Sequence, residues 1–320
     1  MPLAQRSFLT LALLLALTAP SHAEVAVILN SGDASVSLVD TQTYKEIRRY
    51  PIGKEPHHLM ATPDNKELIV ANAASNDLVF LDPQTGDILR RLPRISDPYQ
   101  IGYSPDKKWF VSASNRLDRI DIYHAGDFKL AKQLVAPKTP SHIAFTHDSA
   151  LTFVTLQESN DFIAIDLNTH QEAWRHPVGK QPAGIWMTPD NKYLLVANTG
   201  EDNVHVVDWR QRKTIKIIKT GKGAHNFLAM GDGRRLLLSN RVENTVSILD
   251  MQTLEVLESF HIPGGPDDME LTRDGKELWI TSRWIKKVQV VDMATRKIKH
   301  SIAVGNSPHG LYFPSHAPRR

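Results

Sequence analysis

The sequence predicts an all-β protein: a seven-bladed β-propeller with four-stranded antiparallel blades and a three-plus-one strand closure. Two observations carry this. Marker residues keep one 42-residue period along the chain, and each period holds four strand-length apolar runs. Asp40, Asp82, His124, Asp166, Asp208, Asp250 and Asp292 each close a short run such as VSLVD or VHVVD. Pro56 recurs as Pro98, Pro140, Pro182, Pro266 and Pro308, with Ala224 in the remaining slot. Asn72 recurs as Asn30, Ser114, Leu156, Asn198, Asn240 and Ser282. A period of this length, kept without insertion, marks solenoids, propellers or arrays.

The elements follow in order. Residues 1–23 read as a signal peptide: Arg6, an apolar run from Phe8 to Leu17, then Thr18 to Ala23 with cleavage after Ala23. The run is too short to span a bilayer comfortably. The propeller is expected over residues 24–313. Glu24–Asn30, Ser35–Asp40 and Glu46–Tyr50 match the second, third and fourth strands of a unit. Six whole units follow. In the unit starting at Gly53 the apolar runs fall at about His57–Thr62, Glu67–Ala73, Asp77–Leu81 and Asp87–Leu92, separated by Pro63-Asp64-Asn65, Ser75-Asn76 and Pro83–Gly86. Four strands per unit describe a propeller blade rather than a helical solenoid. A lone first strand at Pro308–Phe313 completes the opening three, which closes the ring within one blade. Residues 314–320 read as a flexible polar tail.

Composition narrows the function. The net charge is +3, with no basic cluster beyond pairs, which argues against a nucleic-acid footprint. There is no cysteine, so disulfides, thiolate metal centres and Cys-x-x-Cys-His haem attachment are excluded. The expectation is an exported monomer, periplasmic or secreted, without a membrane span after signal cleavage. Gly-x-Ser-x-Gly, His-Glu-x-x-His and phosphate-loop motifs are absent.

The repeat also separates scaffold from site. Residues that recur in every blade are scaffold, and the marker Asp is expected to accept amides of the following turn. Residues that differ between blades at one face are candidates. After each marker Pro stand His57, Tyr99, Ser141, Ala183, His225, Asp267 and His309, then His58, Gln100, His142, Gly184, Asn226, Asp268 and Gly310. After the second strand stand Ser31, Ala73, Asn115, Gln157, Thr199, Arg241 and Arg283, with Trp284 following. The first strand should line the channel, so these positions converge on one mouth. The ligand-binding set read from this is His57, His58, Tyr99, His142, His225, Arg241, Asp267, Asp268, Arg283, Trp284 and His309. Three readings stand side by side. One is a binding mouth for a polar or anionic ligand or a periplasmic partner protein, gripped by arginine forks. One is a divalent metal or haem site using His57, His225, Asp267 and His309. One is a hydrated polar channel without a specific ligand. His147, His170, His176, His261, His300 and His316 are expected to face solvent, and Trp109, Trp186 and Trp279 to be blade core.

The end of the second strand reads IVAN at 69–72, LVAN at 195–198, LLSN at 237–240 and WITS at 279–282. The chain thus resembles the YVTN-type repeat β-propeller family, which includes YncE-like proteins and the propellers of cytochrome nitrite reductases. The resemblance covers the whole mature chain and implies the fold. For activity it offers alternatives only: binding modules, a metal- or haem-dependent periplasmic oxidoreductase or cofactor carrier, or a lactonase-like hydrolase using His225, Asp267 and His309.

Overall fold

The computed structural model describes residues 24–319; the signal peptide assigned to 1–23 lies outside them. Seven four-stranded antiparallel sheets form the blades. Their first strands are Pro56–Ala61 in blade 1, Gln100–Tyr103 in blade 2, Pro140–Phe145 in blade 3 and Pro182–Met187 in blade 4. Blades 5 and 6 start with Ala224–Ala229 and Pro266–Leu271. Blade 7 pairs Pro308–Tyr312 with Val25–Asn30, followed by Ser35–Asp40 and Lys45–Pro51. The three-plus-one closure is therefore present.

Burial explains the residue pattern. Second and third strands are sandwiched between neighbouring blades, so Leu68–Asn72 and Asp77–Leu81 are buried throughout. Fourth strands form the outer rim and read as mostly exposed, as in Ile88–Pro93. The marker Asp performs the expected turn role. Asp82 Oδ1 accepts the amides of Gln84 at 2.7 Å and Thr85 at 3.0 Å, and Asp40, Asp166, Asp250 and Asp292 repeat the arrangement. The buried Asn72 donates from Nδ2 to Asp77 Oδ1 at 2.8 Å and so ties the second strand to the third. Gly184 is required by close approach: a Cβ there would lie 2.3 Å from the carbonyl oxygen of His225 in the next blade.

Residues 314–319, read as flexible, instead lie against blade 6 and the start of blade 7. The Ala317 amide donates to Leu271 at 2.7 Å, and the Arg273 amide donates to Ser315. Ser315 also donates its amide and hydroxyl to Glu24. Arg319 pairs with Glu270, which is 1% exposed. The matching residues in other blades are Met60, Gly102, Ala144, Trp186, Leu228 and Tyr312, so a charge at this position is peculiar to blade 6 and serves the tail. Some histidines expected in solvent are also engaged. His176 is buried with Nε2 3.0 Å from Thr214 Oγ1 of the next blade, and His300 stacks on Tyr44 at 3.8 Å. Trp279 is core, as expected, whereas Trp186 is partly buried and lines an inner cavity.

Candidate functional site

The first strands carry a device that aims two consecutive side chains at the channel. Strict β alternation would turn one of each pair into the blade. Instead the register slips between Pro56 and His58, Pro140 and Ile143, Pro182 and Ile185, Ala224 and Phe227, and Pro266 and Met269. A bulge of this kind opposes extra residues to one partner and re-aims side chains. Asp267 thereby joins a cluster at the mouth, while Asp268 joins a chamber beneath it.

Asp267 is fully buried and forms the hub of the mouth cluster. Arg241 reaches it from the end of the second strand of blade 5, and Arg283 from the matching place in blade 6. Arg241 donates from Nε to Asp267 Oδ1 at 2.8 Å, and its Nη2 donates to the same oxygen. Arg283 donates from Nη1 to Oδ2 at 3.3 Å, and its Nε is fixed on Ser307 Oγ at 2.8 Å. His225 Nδ1 lies 3.4 Å and His309 Nε2 3.5 Å from the carboxylate, without hydrogen-bond geometry. His57 is packed between Tyr99 and His309, with ring centroids 3.6 Å and 3.9 Å away. Its Nδ1 donates to the Tyr99 carbonyl at 2.9 Å, which sets the tautomer.

Charge follows from burial. Burial alone would raise the Asp267 pKa. The surrounding positive charges together, Arg241 foremost, outweigh it and hold the carboxyl well below its usual range. Burial keeps His57, His225 and His309 neutral, well below the ordinary imidazole range. The two His–Asp267 contacts are therefore not ion pairs near neutral pH. Two guanidiniums oppose one carboxylate, so the cluster carries one uncompensated positive charge.

A cavity of about 660 Å³ opens over this cluster. Arg241, His225 and Tyr99 form one wall, and Thr139, Gln157, Gln181 and Thr199 of blades 3 and 4 form another together with Asn160 and the opposite charges Glu158 and Lys180. Below lies a chamber of about 170 Å³ reached by His58, His142, Asp268, Asn226 and Arg319. Burial pushes His58 down to about 3 and His142 to about 4. Burial, then the charges of Asp267 and Glu270, pushes Asp268 up to about 7. Asp268 accepts from Asn226 Nδ2 at 3.0 Å and from the Leu311 amide at 3.1 Å.

The chain matches the model of the YncE-like beta-propeller family over residues 4–319.

The chain belongs to the YncE-like β-propeller family.

Among curated proteins none matches it. Solved structures resemble it in fold. One is a functionally unknown protein from Desulfotomaculum acetoxidans, with a TM-score of 0.79 and 15% identity over 92% of this chain and 100% of that one. Another is the dihydro-heme d1 dehydrogenase NirN in complex with DHE, with a TM-score of 0.68 and 16% identity over 92% of this chain and 78% of that one. A third is Kuenenia stuttgartiensis hydrazine synthase, with a TM-score of 0.68 and 16% identity over 80% of this chain and 88% of that one.

Of the eleven residues read from sequence, this YncE-like propeller gathers Tyr99, Arg241, His225, Asp267, Arg283, His57 and His309 at the mouth level. His58, His142 and Asp268 lie at the inner level. Trp284 stands apart, 56% exposed on the rim, its ring covering Gly265. The set His57, His225, Asp267 and His309 does not fit a divalent metal. Both Asp267 oxygens already accept guanidinium N–H, and a dication there would face two positive charges. Among the described residues no group of three or more His, Asp or Glu is arranged to hold an ion. A haem fits no better, because the open wall of Thr139, Gln157, Gln181 and Thr199 offers no apolar face to a macrocycle. Asp267 is also a poor general base for lactone hydrolysis, since three guanidinium N–H groups hold its charge. The sequence places Gln157 and Thr199 at the mouth without putting them in the ligand-binding set, and it does not single out Thr139 and Gln181. Their signal was present: the residue before each marker Pro (Glu55, Asp97, Thr139, Gln181, Gly223, Gly265, Ser307) varies from blade to blade.

Proposed function

We propose that this protein is an exported, periplasmic binding module that captures a small ligand with a single anionic group at the channel mouth. The carrying observation is the charge balance: Arg241 and Arg283 share one carboxylate among neutral imidazoles, leaving one positive charge at the wall of an open cavity. Asp267 orients the two guanidiniums rather than contacting the ligand. Their remaining N–H groups are pre-organised for a carboxylate, which lowers the cost of ordering them on binding.

The test is calorimetric titration of the mature protein with small carboxylates and inorganic phosphate. Charge-assisted hydrogen bonds contribute roughly 1.5–3 kcal/mol, so Arg241→Ala should weaken carboxylate capture by about 10- to 100-fold. Arg283→Ala should act in the same direction, with circular dichroism confirming the fold of each variant. Capture that survives both substitutions in folded protein refutes the reading.

A further inference from the structure

The ring positions just before the marker prolines and just after the second strands divide the mouth into sectors. The cationic sector holds Arg241 and Arg283, with Gly223 and Gly265 at the pre-proline places. The next sector holds Thr139 and Gln157 from blade 3 and Gln181 and Thr199 from blade 4, all on the cavity wall. We infer that the ligand is a polyhydroxylated monocarboxylate, of the sugar-acid class. Its carboxylate would sit at Arg241 and its hydroxyl-bearing carbons would lie along Thr139, Gln157, Gln181 and Thr199. This rests on the anion-capture reading and adds the chemistry of the ligand body.

Two observations support it. First, this wall carries hydroxyls and carboxamides with spare hydrogen-bonding capacity, beside Glu158, Asn160 and Lys180. Thr199 Oγ1 donates to the Ala224 carbonyl at 2.7 Å and keeps its acceptor lone pairs. Gln157 Nε2 donates to Ser141 Oγ at 3.0 Å, while its Oε1 has no protein partner among the described residues. Carboxamides present both donors and acceptors, which is what a row of hydroxyls, each donor and acceptor at once, demands. An apolar ligand body would leave these groups without water or partner. Second, the pre-proline residue is left-handed in every blade, with φ of 61° at Thr139, 51° at Gln181, 75° at Gly223 and 70° at Gly265. Glycine adopts this conformation freely, and a β-branched residue there is an outlier. Blades 5 and 6 use glycine; the other five blades hold Glu55, Asp97, Thr139, Gln181 and Ser307 there, and Thr139 is the one β-branched residue among them. Backbone conformation of that cost concentrates at ligand clamps.

The experiment compares gluconate with hexanoate, two six-carbon monocarboxylates that differ in hydroxylation, by calorimetry. Gluconate should bind about tenfold or more tightly than hexanoate, the equivalent of one or two net hydrogen bonds. Thr139→Gly and Gln181→Gly install the residue that blades 5 and 6 carry at the same place. Each should cut gluconate affinity severalfold, leave hexanoate unchanged, and leave Tm equal or higher; Gln157→Ala should do the same to affinity. Hexanoate binding as tightly as gluconate overturns the inference while leaving anion capture intact. Loss of both ligands in parallel with a fall in Tm would assign these residues a structural role and also overturn it. If neither acid binds, the anion reading itself falls and this inference with it.

Discussion

The two walls of the mouth are built on the same repeat positions and yet spend their side chains differently. In blades 5 and 6 the groups satisfy one another: Arg241 and Arg283 close on Asp267, and Ser307 fixes Arg283. In blades 3 and 4 Gln157, Gln181 and Thr199 stand half-buried or exposed with capacity to spare. The comparison teaches that stability and selectivity need not share residues in a repeat fold. The paired wall should be costly to alter, and the open wall cheap. Asp267→Ala should therefore have the largest effect. It leaves two partly buried guanidiniums without their counter-charge, and breaking a buried pair costs about 3–5 kcal/mol. Gln157→Ala, by contrast, should stay within about 0.5 kcal/mol when both variants are unfolded with urea. Equal losses at the two sites would erase the distinction.

A second way to sharpen it uses pH. The paired wall and the chamber below hold His57, His58, His142, His225 and His309, all with pKa depressed by burial. Their unfolded value is about 6.5. The unfolded chain thus binds more protons below that pH, so stability is full above about 6.5 and is lost as pH falls toward 4. For His142, held at about 4, the contribution at stake is on the order of 3 kcal/mol. Thermal melts at pH 7.5 and pH 4.5 should show a smaller acid loss for His142→Gln than for the parent protein. An identical loss in both would mean that this imidazole is not kept neutral by the fold.

The fold was legible because a propeller is periodic in sequence as well as in space. The period of Asp82 and Pro56 counts the blades, and the apolar runs place the strands. The mouth was legible in part, because residues that break the period at one face must differ for a reason other than scaffold. His225, Asp267, His309, Arg241 and Arg283 came from that argument. Their roles did not: no spacing shows that both arginines turn onto Asp267, which removes it from metal ligation. Nor does alternation reveal the bulge that sends Asp267 and Asp268 to different levels. The tail was misjudged because its anchor, Glu270, lies in a first strand and looks there like an ordinary interruption of an apolar run. The polar wall stayed hidden because Thr and Gln carry little individual signal, and the left-handed backbone beneath Thr139 and Gln181 is shared by every blade.

The smallest expected effect is the most discriminating. Asp268 lies beneath the paired wall with its pKa pushed up to about 7, so it is neutral below that pH and anionic above it. Ionisation would cancel much of the single positive charge that Arg241 and Arg283 leave over. Capture of a carboxylate should therefore weaken as pH rises from about 6 to 8, by roughly three- to tenfold. Linkage requires the converse: binding must favour the protonated form of Asp268, so the complex takes up protons near pH 7. Calorimetry in buffers of different ionisation enthalpy would read that uptake directly. In Asp268→Asn the pH dependence should flatten and the uptake vanish. If affinity instead rises on acidification below pH 6.5 in that variant, imidazolium rather than guanidinium supplies the charge. The neutral-histidine account of the paired wall would then have to be abandoned.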